Sequence, residues 1–425
     1  MPDPDPAPPA SAPVLVNDSL AALLSQRAYV WLWIGRTFCS FGTLIQSIAL
    51  AWQVYAVARL TGTVNQAAFA LGMLGLAQFL PMAALSLVGG DAADRYDRRL
   101  LVGLSVAVML STGVALSVMA LMGVTQLWPI FLVAAVFGCA RAFYMPAGMA
   151  LSPTLVMAEL VPRSIVFNSL SGQLAAICGP AVGGILVAVS PVLAFTTASS
   201  LFVVSLITLA GFRGPPLDKT PKASRLTLIG EGLHYVWTHR IILGAISLDL
   251  FAVLLGGATA LLPVFARDVL HVGPQGYGVL RAAPSVGALL IGLRLAAHPI
   301  KSQVGIKMFL AVAVFGLSTV VFAVSRSLAL SAVALACLGA GDMVSVYVRQ
   351  TLVQIMTPNV MRGRVAAVST LFIGASNELG EFESGMIARL VGPVGSALFG
   401  GFGALAVTGL WAWLFPDLRR ADKLS

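Results

Sequence analysis

Charge is what this sequence has least of. Only 10% of its 425 residues are Asp, Glu, Lys or Arg, against roughly 25% in an average soluble chain. So few charges cannot cover a water-exposed surface of this size. Cysteine is also sparse: Cys39, Cys139, Cys178 and Cys337 all fall inside apolar runs, without CxxC spacing. They read as small core residues, neither disulfides nor metal ligands. The four histidines (His234, His239, His271, His298) lie in connectors or at the ends of apolar runs and have no metal-ligand spacing. The chain has no P-loop, so ATP hydrolysis is not its energy source, and it has no nucleophile-elbow or metalloprotease pattern. No cofactor or metal is expected. Residues 1–16 are rich in Pro and Ala, with two aspartates and no basic residue, which is unlike a secretory signal and reads as a disordered cytoplasmic tail.

What is abundant is apolar sequence. Hydrophobic residues make up 58% of the chain and the mean hydropathy is +0.92. Apolar runs bounded by charge, Gly or Pro recur twelve times, each near the roughly 20 residues needed to span a bilayer. They begin with Val30–Leu50 and end with Val365–Leu390 and Val394–Leu414. The longest connector, Arg213–Arg240, divides them six and six. This predicts an all-α integral membrane protein of twelve transmembrane helices in two six-helix bundles. The expected parts are a tail at 1–20, a bundle at 21–212, a cytoplasmic linker at 213–240, a second bundle at 241–416 and a tail at 417–425.

The net charge of +9 could indicate nucleic acid, but its placement argues otherwise. With both termini inside, the connectors and span ends assigned to the outside carry only Arg59, Arg267, Arg326 and Arg389. Most other basic residues fall inside, as the positive-inside rule requires. The charge is an orientation signal for a multi-pass protein of the cell (inner) membrane.

The halves echo each other. Arg27 and Arg36 stand nine residues apart at the first span, as do Arg240 and Asp249 at the seventh. Two six-span repeats related by an axis along the membrane normal describe a known transporter architecture.

Between spans 2 and 3, Gly90-x-x-x-Asp94-Arg95-x-x-Arg98-Arg99 resembles motif A of the major facilitator superfamily, with Ala92 and Asp97 where that family usually has Leu and Gly. Arg141 in span 4 is similar to the motif B arginine. Gly179-Pro180-Ala181-Val182-Gly183-Gly184 in span 5 resembles the end of motif C, with Ala175 where an upstream glycine is expected. Arg141–Ala147 and Met361–Val365 narrow the resemblance to the drug and siderophore exporter branch. It covers nearly the whole chain after residue 20. The resemblance implies a latch at motif A, a role for Arg141 in proton coupling or cavity electrostatics, and a leak-limiting bend at the motif C residues. On residue type alone, Arg141 could equally be a buried structural arginine and the three glycines simply close-packing positions.

Charge inside spans is the strongest physical signal. Arg36, Arg141, Arg281, Arg349, Asp249, Asp342, Glu378, Glu381 and Glu383 lie within apolar runs. Each would cost about 2.5–3.5 kcal/mol at a helix centre facing lipid, so most must line a wet cavity or pair. Arg349 and Arg36 are close enough to span ends to snorkel. Glu378 and Glu381 stand three apart and share a face, with Glu383 roughly opposite. Two adjacent carboxylates in low dielectric suit the sharing of one exchangeable proton. The competing reading is a structural charge cluster. Asp249 and Asp342 are the next proton-coupling candidates. Arg36 and Asp249 occupy matching repeat positions and are read either as a gate across the central axis or as structural bridges inside each half.

Three readings follow. The first is a monomeric secondary transporter, not an enzyme, that exports a small amphiphilic compound by proton antiport. The second is proton-coupled uptake or lipid movement in the same fold. The third is a membrane enzyme or sensor, for which the chain shows no clustered constellation. The partners expected are a small molecule, protons and the lipid bilayer, and not nucleic acid.

Overall fold

Inside a bilayer a backbone has no water to bond, so apolar runs of this length close their own i to i−4 hydrogen bonds. The computed structural model describes residues 20–212 and 225–421. The first half comprises α1 (Arg27–Thr61), α2 (Val64–Arg95), α3 (Arg98–Leu121), α4 (Leu127–Leu151), α5 (Val161–Val189) and α6 (Pro191–Ala210). The second comprises α7 (Arg240–Leu255), α8 (Gly273–Ala297), α9 (Val304–Val324), α10 (Leu328–Met356) and a helical run, Asn359–Leu414.

That last run has 56 residues. As one straight helix it would be about 84 Å long, nearly three times the roughly 30 Å of bilayer hydrocarbon. It breaks at Gly392, where φ is +81° and ψ +166°, followed at once by Pro393. The run is therefore two antiparallel helices, α11 (359–391) and α12 (393–414), which completes twelve spans.

Helix starts follow from side-chain chemistry. Thr63 opens α2 with a capping box: Gln66 N donates to Thr63 Oγ1, and Thr63 N donates to Gln66 Oε1 at 2.9 Å. Asp97 opens α3, its Oδ1 accepting from Arg99 N at 2.8 Å and Leu100 N at 3.3 Å. Asp97, which stands where the resembled motif usually has Gly, is thus a helix N-cap. Helix α7 stops early for a span, at Gly256-Gly257. The chain continues through short turns, Ala258–Leu261 and Leu262–Val264, and a π-helical turn, Phe265–Val269.

In the first half α1 packs on α5 and α6, and α3 on α4 and α6. In the second, α10 packs on α8 and α9, while α7 and α9 pack on the α11–α12 run. The halves meet along α2 with α11 and along α5 with α8. Both seams rely on glycine. A Cβ at Gly385 would lie 2.7 Å from Gly72 Cα, and one at Gly184 would lie 2.5 Å from Pro274 O and 2.9 Å from Gly278 Cα. Large apolar side chains cover the outside of the bundle, with Leu121, Val189 and Leu390 at least 70% exposed. In a chain with so little charge, that surface is suited to lipid.

The expected linker and tails are only partly described. Residues 1–19, 213–224 and 422–425 lie outside the described residues. Arg225–Thr238 forms a helix that packs on the second half, with Val236 against Ile242, Ile246, Val353, Val365 and Val368. Glu231 pairs with Arg364, and Tyr235 Oη donates to Met356 O at 3.0 Å. The chain past α12 turns at Pro416–Arg419 and docks: Leu418 is fully buried, and Gly305 N donates to Ala421 O at 3.0 Å. Of the cysteines, Cys39 is buried but Cys337 is exposed on the apolar exterior, which corrects the expectation that all four are core residues.

Candidate functional site

Glu378 and Glu381 sit one turn apart on the face of α11 turned toward α2 and α8. They line a cavity of about 200 Å³ together with Arg141 of α4, Gln78 of α2, and Tyr277 and Arg281 of α8. The cavity draws on both halves: Arg141 comes from the first, the two glutamates and Arg281 from the second. Arg281 Nη2 lies 3.8 Å from Glu381 Oε1, and its Nη1 donates to Thr259 O at 3.5 Å. Glu381 also reaches across the seam. A Cβ at Gly75 would lie 3.3 Å from Glu381 Oε2, so the missing side chain of Gly75 makes room for this carboxylate.

A second cavity, of about 260 Å³, adjoins the first. Glu381 and Thr259 line both. Its other walls come from Asp342 of α10, Asn377 of α11, Gln173 of α5, Ser285 of α8 and the broken end of α7. Gln173 Nε2 donates to Ser285 O at 2.7 Å, closing it across the α5–α8 seam.

Arg36 and Asp249 are not paired with each other, which agrees with bridges inside each half and not with a gate between them. Arg36 Nη1 donates to Gly148 O of α4 at 3.4 Å, whereas Asp249 accepts an ion pair from Arg349 Nη1 at 2.8 Å. Each residue is thus bonded inside its own half. Arg349 does not snorkel: it is 1% exposed. Its length carries the guanidinium inward to α7, because the desolvated Asp249 carboxylate offers a better partner than the membrane interface. Glu383, on the other face of α11, lines neither cavity.

The Gly90–Arg99 stretch forms the end of α2, a two-residue turn and the start of α3. Gly90 is buried and Asp94 half-buried. The close approach to α4 is made by Gly89, where a Cβ would lie 2.4 Å from Ala142 O. Arg95 pairs with Asp91 at 2.8 Å. Arg98 donates to Ala93 O and to Ala150 O at the end of α4. Arg99 donates to Leu209 O at the end of α6 at 2.7 Å, with its guanidinium 5.5 Å from the Phe212 ring centre. The arginines therefore do engage C-terminal helix carbonyls, but those contacts stay within the first half.

The motif C-like glycines divide by face. Gly179 and Gly183 abut Leu44 and Ile48 of α1, while Gly184, with the Pro180 carbonyl, abuts Gly278 of α8 across the seam.

The sequence reading missed a cluster at the opposite end of the bundle. Tyr55 of α1 donates its hydroxyl to Asp268, Arg59 Nη2 lies 3.3 Å from Asp268 Oδ1, and the Arg267 guanidinium sits 5.9 Å from the Tyr55 ring centre. Alongside, Arg389 of α11 sits 4.9 Å from the Phe69 ring of α2, and Asn65 donates to Arg389 O. All of these cross between halves. The available signal was Asp268 itself, the one acid in the connectors assigned to the outside.

A family profile described as transmembrane secretion effector matches residues 18–424. The chain is 26% identical over 371 residues to the enterobactin exporter EntS of Citrobacter koseri, covering 85% of this chain and 86% of that one. It is 27% identical over 406 residues to the multidrug efflux pump Tap of Mycobacterium tuberculosis, covering 90% and 91%. Among solved structures, a mutant of the peptide transporter POT superposes with a TM-score of 0.71 at 14% identity, covering 93% of this chain and 95% of that one. A bacterial homologue of the iron transporter ferroportin gives 0.68 at 16% identity, covering 94% and 99%. These structures share the fold. With the motifs, the twelve spans and the match over nearly its whole length, the chain belongs to the transmembrane secretion effector family of the major facilitator superfamily.

Proposed function

We propose that the protein exports a small amphiphilic compound across the cell (inner) membrane by alternating access, exchanging it for protons, with both termini in the cytoplasm and the monomer as the working unit. Export is the activity named for EntS and Tap, two relatives matched over at least 85% of this chain. The position of Glu381 is the observation that carries the coupling. It lines both cavities, faces Arg281 at 3.8 Å and fills the space left by Gly75 on the other half.

A proton arriving on Glu381 removes the charge that holds Arg281. Because α11 is also a seam helix, that change is delivered where the halves meet. Glu378 shares the cavity with Arg141 and Arg281, so the second carboxylate and two guanidiniums redistribute as the proton moves. The contacts between halves at the Asp268 end, with the arginines of Arg95–Arg99 folded back on their own half, support a state closed outside and open to the cytoplasm. In the alternate state the freed arginines reach helix ends of the second half and latch the inner side. The Asp249–Arg349 pair is a structural bridge that keeps α7 and α10 together through the cycle.

Reconstitution into liposomes with an imposed pH gradient tests this reading. Substrate should move against protons and stop when an uncoupler is added. Transport that persists without a gradient would exclude proton coupling. Full gradient-driven transport by both Glu378→Gln and Glu381→Gln would exclude these carriers.

A further inference from the structure

Of the four arginines inside spans, three meet an acid. Arg281 has Glu381 at 3.8 Å, Arg349 has Asp249 at 2.8 Å, and Arg141 shares the central cavity with Glu378. Among the described residues, Arg36 meets none. The acids described in the first half, Asp91, Asp94, Asp97 and Glu159, all stand in or beside connectors. The Arg36 guanidinium offers five N–H donors. Its protein acceptors are Gly148 O, at 3.4 Å, and the Tyr144 hydroxyl, which in turn donates to Cys39 Sγ. A half-buried guanidinium set within a span and left without a counter-ion is costly unless an anion joins it.

The position of Arg36 points into the transport path. Arg36, Ser40, Thr43 and Ser47 recur at intervals of four, three and four on α1, so they share one face, and Thr43 and Ser47 line the central cavity. On α4, Tyr144 and Gly148 follow Arg141, which lines the same cavity, by three and seven residues. Arg36 and Tyr144 therefore continue the cavity wall about two turns toward the start of α1, the cytoplasmic side in the topology proposed above. The wall stays uncovered at that level: Met145 and Met149, on the Arg141 side of α4, are 53% and 66% exposed. Their thioethers make an adaptable apolar surface beside a planar cation that matches an oxyanion with two parallel N–H bonds. The span charges that the first half brings to the path, Arg36 and Arg141, are both positive, and the acids come from the second half.

We propose that Arg36, with the Tyr144 hydroxyl, binds the anionic group, a carboxylate or related oxyanion, of an amphiphilic substrate entering from the cytoplasm. The proposal rests on the export reading above and adds the chemical class of its substrate. The cargo's apolar body lies against Met145 and Met149, and its charge supplies the counter-ion that the first half lacks. Arg36 is thus both a tie between α1 and α4 and an entry site, while Glu378 and Glu381 keep the proton.

The test is equilibrium binding to the purified, detergent-solubilised full chain, with pyrenebutyrate as the anionic probe and pyrenebutanol as its neutral counterpart, each corrected for uptake by micelles alone. The wild type should bind the carboxylate more tightly than the alcohol. Arg36→Gln should weaken carboxylate binding by about tenfold or more and leave the alcohol unchanged. Arg36→Lys keeps the charge without the planar fork and should recover part of the binding. Should Arg36→Gln fail to fold, Ser40→Glu gives the same readout with Arg36 intact. A fixed carboxylate one turn away on the same face takes the guanidinium, and should abolish binding of the anion while sparing the alcohol. Equal affinity for the two probes, no binding of the carboxylate by the wild type, or unchanged carboxylate binding in Arg36→Gln or Ser40→Glu would each overturn the proposal. So would an equal loss of both probes in Arg36→Gln, which would mean that Arg36 only braces α1 against α4. Binding needs no gradient, so this site and the export reading fail separately. A chain that binds the carboxylate but moves nothing on a pH gradient keeps the site and loses the transport reading; gradient-driven movement of a neutral compound, without carboxylate binding, does the opposite.

Discussion

Arg349 Nη1 lies 2.8 Å from Asp249 Oδ2, and the two residues are 1% and 5% exposed. The pair ties α10 to α7 inside the second half. Removing one partner of such a pair strands a desolvated charge, at a cost of about 3–5 kcal/mol, whereas replacing both with apolar groups is far cheaper. Arg349→Leu should therefore lower the unfolding temperature in detergent sharply. Adding Asp249→Leu to it should recover much of the loss. The double variant should retain gradient-driven transport, because neither residue lines the central cavity with Glu378. A double variant that folds well yet transports nothing would move Asp249 back into the coupling machinery.

The contacts of Asp268 make a second prediction. Tyr55 and Arg59 both reach its carboxylate from the other half. A hydrogen bond to a charged group contributes about 1.5–3 kcal/mol, and a partly exposed ion pair adds at most about 1 kcal/mol. Asp268→Asn should shift the balance toward a state open at this end by about tenfold. The measurement is the rate at which Ala260→Cys, on the central cavity wall, reacts with an impermeant maleimide added from outside, in a chain freed of its native cysteines. Tyr55→Phe should accelerate labelling in the same direction by a smaller factor. An unchanged rate in both variants means that the cluster holds nothing shut.

The two faces of the Gly179–Gly184 segment should respond differently. A side chain at Gly184 meets Pro274 O at 2.5 Å on the other half, while one at Gly183 meets Ile48 at 3.2 Å on its own half. Gly184→Val should hold the α5–α8 seam apart. Spin labels at Val189→Cys and Leu390→Cys, exposed where α5 and α11 end on the Asp268 side of the bundle, should then report a longer distance. Gly183→Ala should lower thermal stability and leave that distance alone. A longer distance in both variants would mean that the segment acts as one hinge.

The spans were readable because each is a long apolar run stopped by charge, Gly or Pro. Depth was also readable: a helix position fixes how far into the membrane Glu378, Glu381 or Asp342 must lie. Partners were not. Asp249 and Arg349 are a hundred residues apart, and local pattern says nothing about which buried base meets which buried acid. Arg349 looked close enough to the interface to snorkel, yet a desolvated carboxylate on α7 outbid water. The end of α1 was misplaced at Leu50 because Gln53 and Arg59 interrupt the apolar run, although helix continues to Thr61. That extension carries Tyr55 and Arg59 to Asp268, so the boundary error and the missed cluster share one cause. Gly256-Gly257 sits inside an apolar run of spanning length. Only the three-dimensional path shows that it ends a helix at a cavity wall.

Gly392 isolates a backbone effect from a packing effect. Its φ of +81° with ψ of +166° is a region essentially reserved for glycine, and holding another residue there costs about 1–3 kcal/mol. Space is not the constraint: a Cβ would meet only Asn65 Oδ1, at 3.7 Å. Gly392→Ala should thus lower stability through strain alone, seen as a fall in unfolding temperature. Pro393 follows with its own φ fixed by the ring and no N–H to donate, so the chain cannot relax by running α11 straight into α12. The reversal is kept and the strain stays in the folded state. Removing the bulky neighbour contact with Asn65→Gly should not rescue the variant. Rescue by Asn65→Gly would show that crowding, and not backbone conformation, is what requires glycine at this turn.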